Sequence, residues 1–219
     1  MKRIQLIIVK LTVEKQKPFL PLLNFIHTLH LFTHTDVLTF ALPTTLFAVF
    51  GAVAGTTLST NASPNIITVL SRIPSILLLV WSNLLVFNIA NQRLPDAILE
   101  DKLNKPSRPL PSGRISGPQA RRLLLIALPV VLALSFYLGP WQETLLLFSM
   151  NWMYNDLKGC DEDFVTRNLL IAIGHGLYNS AALRIACGVD SSITGRGIYW
   201  IVLVTCVIFT TGHIADLKD

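Results

Sequence analysis

Polar and apolar positions fall in long blocks along this chain rather than alternating residue by residue. Apolar runs cover residues 36–56, 73–90, 123–138, 141–154, 168–187 and 197–212. Runs of that length, without the period of two that marks a strand, predict helices that cross a bilayer. Pro43 is compatible with the first run because neighbouring helices can satisfy the carbonyl it frees, and Gly139-Pro140 marks a tight turn between the third and fourth runs. The expected fold is all-α: a polytopic transmembrane helix bundle of about six spans, forming one domain over residues 36–219 behind a polar N-terminal tail, residues 1–35.

Two polar blocks interrupt the pattern. Asn88 to Ser116 reads NIANQRLPDAILEDKLNKPSRPLPSGRIS, with Pro95, Pro106, Pro109 and Pro111 among its charges, and Asn155 to Arg167 reads NDLKGCDEDFVTR. A hydrophobic chain places such segments where helices meet water.

Composition supports a membrane protein: 52% of residues are hydrophobic, 14% are charged and mean hydropathy is +0.55. The net charge of +5 is therefore read as loop topology and not as a nucleic-acid footprint. Arg93, Lys102, Lys105, Arg108, Arg114, Arg121 and Arg122 crowd one loop, and Lys2, Arg3, Lys10, Lys15 and Lys17 crowd the tail, whereas the opposite loops offer Arg72 and Arg196. That bias places the tail, both polar blocks and the C-terminal end on the cytoplasmic side. The tail lacks a small-residue cleavage site and the composition of a transit peptide, which favours the endoplasmic reticulum over the mitochondrial inner membrane. Cys160, Cys187 and Cys206 are too scattered for a zinc site or a disulfide framework.

The polar blocks hold the candidate chemistry. Asn88, Gln92, Asp96 and Glu100 recur every four residues and share one face if the second helix continues, although Pro95 predicts a kink or a helix start. Carboxylates a turn apart suit Mg²⁺, which binds through one or two carboxylates plus substrate phosphates. Lys105, Arg108 and Arg114 could then hold a diphosphate; a solvated loop whose acids balance its bases explains the same spacing. Tyr154, Asn155, Asp156 and Asp161 form a second group, either a loop over the site or the cap of the next helix. Asp216 and Asp219 form a third. His175, Asn179 and Arg184 sit at membrane depth, where polar groups bond between helices or face a cavity. Phe87, Trp152, Tyr154 and Tyr178 are packing residues, or they line a tunnel that shelters a carbocation.

Asn91 to Ser116 resembles the first aspartate-rich region of the UbiA superfamily of intramembrane prenyltransferases, N-D-x-x-D-x-x-x-D followed by R-P-L-P-S-G. Arg108 to Gly113 matches the second part in full. In the first part, Asn91 takes the Asn position, Gln92 stands where Asp is usual, and Asp96 and Glu100 are each displaced by one residue from Pro95 and Leu99. That form is closer to a fungal branch that includes membrane-bound terpene cyclases. Asp216 and Asp219 match the first two acids of the second aspartate-rich region. The resemblance runs from Phe32 onward and implies a fold of roughly nine helices around a cavity, of which six are expected here, with the C-terminal part incomplete.

It further implies a Mg²⁺-dependent enzyme that ionises an isoprenyl diphosphate. Asn91, Asp96, Glu100, Asp216 and Asp219 would be metal ligands, and Asn91, Lys105, Arg108 and Arg114 diphosphate ligands. Asp96, Glu100 and Tyr154 would act in catalysis beside the loop of Asn155, Asp156 and Asp161. Transfer to an aromatic or other small acceptor is the first reading. Cyclisation of the prenyl chain and an inactive, lipid-binding homologue are the alternatives.

Overall fold

The computed structural model describes residues 22–212 and residue 214. Most of the tail, together with Asp216 and Asp219, lies outside the described residues. All six apolar runs are helical, and among the described residues the only extended pairing is an isolated bridge between Ser59 and Ile193. Four helices are long and apolar enough to cross a membrane. They are α1 (Leu22–Val53), α2 (Ile66–Gln92), α4 (Gly117–Leu138) and α6 (Phe164–Cys187). Between them lie α3 (Pro95–Asn104) and α5 (Trp141–Asn151), and α7 (Gly195–Thr211) closes the described chain.

This corrects the expectation of six full spans. α7 has 17 residues, about 26 Å at the α-helical rise, short of a hydrocarbon core about 30 Å thick. α5 is shorter still, although a π turn, Trp152–Asp156, extends it. Residues 22–35, within the expected tail, are helical in the described structure and run on into the first apolar segment. Its first turns carry enough apolar residues (Leu29, Phe32) to pack on α2, which tail composition alone obscures.

Local sequence accounts for the breaks. Pro43 lacks an N–H and its ring crowds the carbonyl four residues back, and α1 widens into a π turn over Val37–Ala41 at that place. Asn65 starts α2 by accepting from Ile67 N (2.9 Å) and Thr68 N (3.2 Å), and the helix jogs at Arg72, just before Pro74. Ser116 and Gln119 form a reciprocal capping box on α4, which ends at Gly139 with φ +107°. Asp163 Oδ1 caps α6 through Val165 N (2.7 Å) and Thr166 N (2.9 Å), the capping role foreseen for the second polar block.

α6 is the central helix, packed against α1, α5 and α7. Its Ala181, Ala182 and Ala186 meet Ala48 and Ala52 of α1 in the main core, so the two backbones approach closely through small residues. At Gly176 a Cβ would stand 2.4 Å from Thr205 Oγ1 of α7, which makes glycine the residue that fits there. Leu125, Ile126, Val130, Phe136 and Tyr137 of α4 are exposed, as lipid-facing side chains would be. The connections gather at two ends. Residues 54–65 meet residues 188–194 at one end, where Thr60 N donates to the Ser192 carbonyl (2.9 Å), and the two polar blocks meet at the other.

Candidate active site

The site grows from the last turns of α2, where the helix leaves its apolar run while still enclosed. Asn88 and Gln92 are buried. Asn88 donates from Nδ2 to Asp36 Oδ2 of α1 (2.7 Å), and Gln92 donates from Nε2 to the Phe32 carbonyl (3.0 Å) and to Asn88 Oδ1 (3.2 Å). On the neighbouring side, Asn91 donates to Asn155 Oδ1 (2.9 Å), and buried Asn155 turns its own amide back to Asn151. An amide network thus ties α1, α2 and the end of α5 together at the mouth of the bundle.

Asp96 and Glu100 do not share the face of Asn88 and Gln92. The chain turns after Gln92 and restarts as a new helix at Pro95, whose missing N–H cannot continue the old one. Both acids are consequently exposed on α3. The structure does bring the two polar blocks together. Arg93 pairs with Asp156, and Lys158 Nζ bridges Asp96 (3.1 Å) and Asp161 (3.5 Å). Lys158, in the left-handed region at φ +60°, has its pKa raised chiefly by the hydrogen bond to Asp96. Burial pushes the neighbouring Cys160 thiol up as well.

Arg108 Nη1 makes two bonds to buried Asp101, at 2.9 Å each, which fix the guanidinium against α3. The Arg108-Pro-Leu-Pro-Ser-Gly113 run is a folded plug. Ser112 N donates to the Arg108 carbonyl (3.1 Å), Gly113 takes φ +70°, and Leu110 enters an apolar cluster with Phe32, Leu85, Ile89 and Ala120. Lys105 and Arg114, like Lys102, Arg121 and Arg122, make no ion pair among the described residues.

Behind the mouth lies a cavity of about 290 Å³. Phe40, Phe87, Phe148, Tyr154 and Tyr178 form its aromatic wall, and Asp36, Asn83, Asn151 and His175 its polar points. Tyr154 stacks obliquely near Phe87 (5.6 Å between centroids), and Phe40 stands between His175 (4.3 Å) and Tyr178 (4.7 Å). Trp152 is not part of this wall: it is exposed on the outer surface. Arg184, also expected near such a cavity, pairs instead with Glu143 (3.1 Å) and Gln142 (3.0 Å) between α6 and α5.

Among the residues of the site that escaped the sequence reading are Asp36, Asn83, Asp101 and Asn151. Asp36 had a readable signal, a lone acid at the edge of an apolar run. Asp101 had a weaker one, an acid seven residues before the arginine it holds. Among the described residues no group of three His, Cys, Asp or Glu lies close enough to hold a metal ion. Asp96, one of the predicted ligands, is exposed and paired with Lys158. Asp216 and Asp219, the other predicted acids, are not among the described residues.

Comparison with known proteins gives the class to which this arrangement belongs. The chain is 30% identical over 199 residues to fumagillin beta-trans-bergamotene synthase of Aspergillus fumigatus, covering 90% of this chain and 62% of that protein. It is 31% identical over 195 residues to somaliensene A/B synthase of Streptomyces somaliensis, covering 89% and 60%. A shorter stretch of 77 residues is 35% identical to digeranylgeranylglyceryl phosphate synthase of Sulfurisphaera tokodaii, covering 35% and 28%. Neither a family model nor a solved structure matches the chain. The chain is a UbiA-family homologue, as its Arg108–Gly113 loop implies. It spans about three fifths of the length of the two relatives that it matches over most of its own length.

Proposed function

We propose that this chain forms the mouth and chamber of a membrane terpene cyclase, which ionises an allylic prenyl diphosphate and folds the resulting carbocation on itself. The observation that carries the reading is the aromatic-walled cavity directly behind a polar mouth. An allylic cation needs electron-rich faces around it and no water beside it, and tyrosine and phenylalanine rings supply the first while the apolar wall supplies the second. At the mouth, Lys105 and Arg114 are the proposed partners of the leaving diphosphate, where developing negative charge is greatest.

Prenyl transfer comes second in this reading, reversing the order drawn from the loop motif alone. The two matches that span most of the chain are to synthases named for terpene products, whereas the match to a synthase of a prenylated glyceryl phosphate covers a third of it. Magnesium enters the proposal as a cation arriving with the diphosphate, which it would part-neutralise; no protein step above depends on it.

The test is to incubate membranes carrying the chain with geranyl, farnesyl or geranylgeranyl diphosphate and Mg²⁺, measuring diphosphate release and extractable hydrocarbon. Cyclisation gives a hydrocarbon without any acceptor, whereas prenyl transfer gives product only when an acceptor is added. Absence of diphosphate release from every donor, both by this chain and by a version extended to the length of its relatives, would falsify both.

A further inference from the structure

A carbocation folded in an apolar chamber becomes a stable alkene by giving up a proton, so a chamber of this kind needs an acceptor. Among the polar side chains lining the cavity, the amides, hydroxyls and phenols of Asn83, Asn151, Thr39, Tyr154 and Tyr178 are poor bases near neutral pH. Asp36 and His175 remain.

The two differ in how their acceptor atoms are occupied. Asp36 already accepts from Asn88 Nδ2 (2.7 Å) on one oxygen and from Thr35 Oγ1 (3.1 Å) on the other. Both oxygens are thus engaged by donors of the protein itself. His175 Nδ1 lies 3.0 Å from the Ile171 carbonyl of its own helix. A carbonyl oxygen only accepts, so Nδ1 must carry the hydrogen, and in the neutral ring Nε2 then keeps the lone pair. Nε2 makes no hydrogen bond among the described residues, and the His175 ring lines the cavity. Phe40 packs against that ring at 4.3 Å between centroids and against Tyr178 at 4.7 Å.

The geometry points to His175 as the catalytic base that ends the reaction, a role that rests on the cyclase reading above. In the step, a C–H bond next to the cationic carbon breaks and its electron pair forms the new C=C bond. The proton goes to Nε2. The imidazolium then returns it to the diphosphate released at ionisation. Asp36, whose two oxygens are engaged by Asn88 and Thr35, lines the same chamber without taking the proton.

The test compares wild type with His175→Asn, His175→Phe and Asp36→Asn, using farnesyl and geranylgeranyl diphosphates with Mg²⁺ and counting each product per diphosphate released. His175→Asn preserves a donor toward the Ile171 carbonyl, and His175→Phe preserves the ring's volume, so either suffices if the other fails to accumulate. The expected result is a fall of about tenfold or more in the parent hydrocarbon per diphosphate, with earlier-quenched acyclic alkenes or alcohols in its place. Unchanged product shares in the His175 variants, or the same shift in Asp36→Asn alone, overturn the assignment while leaving the cyclase reading standing. A wild type that releases diphosphate only with an acceptor defeats the cyclase reading itself.

Discussion

Two ion pairs in the mouth loop look alike in sequence and differ in kind. In Asp101–Arg108 one guanidinium nitrogen, Nη1, lies 2.9 Å from both carboxylate oxygens, with side chains only 7% and 11% exposed. Asp96–Lys158 is a single contact at 3.1 Å, with side chains 82% and 45% exposed. The first fastens the Arg108–Gly113 plug over α2; the second bridges two surface segments that water reaches. Conserving charge therefore means different things at the two places: structure at the buried pair, availability for a ligand at the exposed one.

The contrast is most easily broken at the buried pair. Replacing Arg108 by Ala leaves the Asp101 carboxylate enclosed without a partner, which costs about 3–5 kcal/mol. The chain should lose most of its detergent-solubilised yield or its thermal midpoint, and Arg108→Ala combined with Asp101→Leu should recover a large part of the loss. A smaller effect is expected from Asn91→Ala, which removes the donor to buried Asn155 and should cost about 1–3 kcal/mol in the same unfolding assay. At the exposed pair, Lys158→Ala should leave the unfolding midpoint within scatter. If Lys158→Ala destabilises as much as Arg108→Ala, the distinction between the two pairs is wrong.

Solution pH gives the finest separation. Hydrogen bonds from the Thr166 side chain and backbone hold Asp163 below the ordinary aspartate range. A depressed carboxylate contributes stability above its unfolded pKa and loses it as pH falls through the folded one. Lys158 is raised by Asp96, so its contribution is present below the ordinary lysine range and is lost as pH rises through the higher folded value. Hydrogen exchange at the first turn of α6 should accordingly quicken on strong acidification, and exchange near Lys158 only in strong base. Asp163→Asn should weaken the acid response, because asparagine still caps but does not titrate over that range.

How much of this could be read from the chain follows a physical line. The helices were legible because lipid-facing and core-facing residues are both apolar, so each span announces itself as a block. Helix extents were less so: residues 22–35 are helical, with Leu29 and Phe32 finding partners on α2 and the mouth loop, a tertiary fact. Asn155 and Asn91 could be suspected from their polar setting, but their bond joins residues 64 positions apart. The helix start at Pro95 was legible from the missing N–H, and it splits the periodic spacing of Asn88, Gln92, Asp96 and Glu100 between two helices. The bond between Arg108 and Asp101 was not legible, because only the fold of the loop between them brings the two side chains together.

The central claim is that the aromatic-walled cavity receives the prenyl chain, and Gly174 offers the most direct way to test it. Gly174 lines the cavity, and a Cβ built there meets no atom within 4 Å, so a larger side chain can enter the empty space without displacing the fold. Hydrocarbon formation from the preferred prenyl diphosphate should be measured for wild type and Gly174→Phe, alongside their thermal midpoints. The account predicts that Gly174→Phe folds with an unchanged or higher midpoint and loses hydrocarbon formation, more severely for longer donors. An equally stable variant making the same product at the wild-type rate would contradict it.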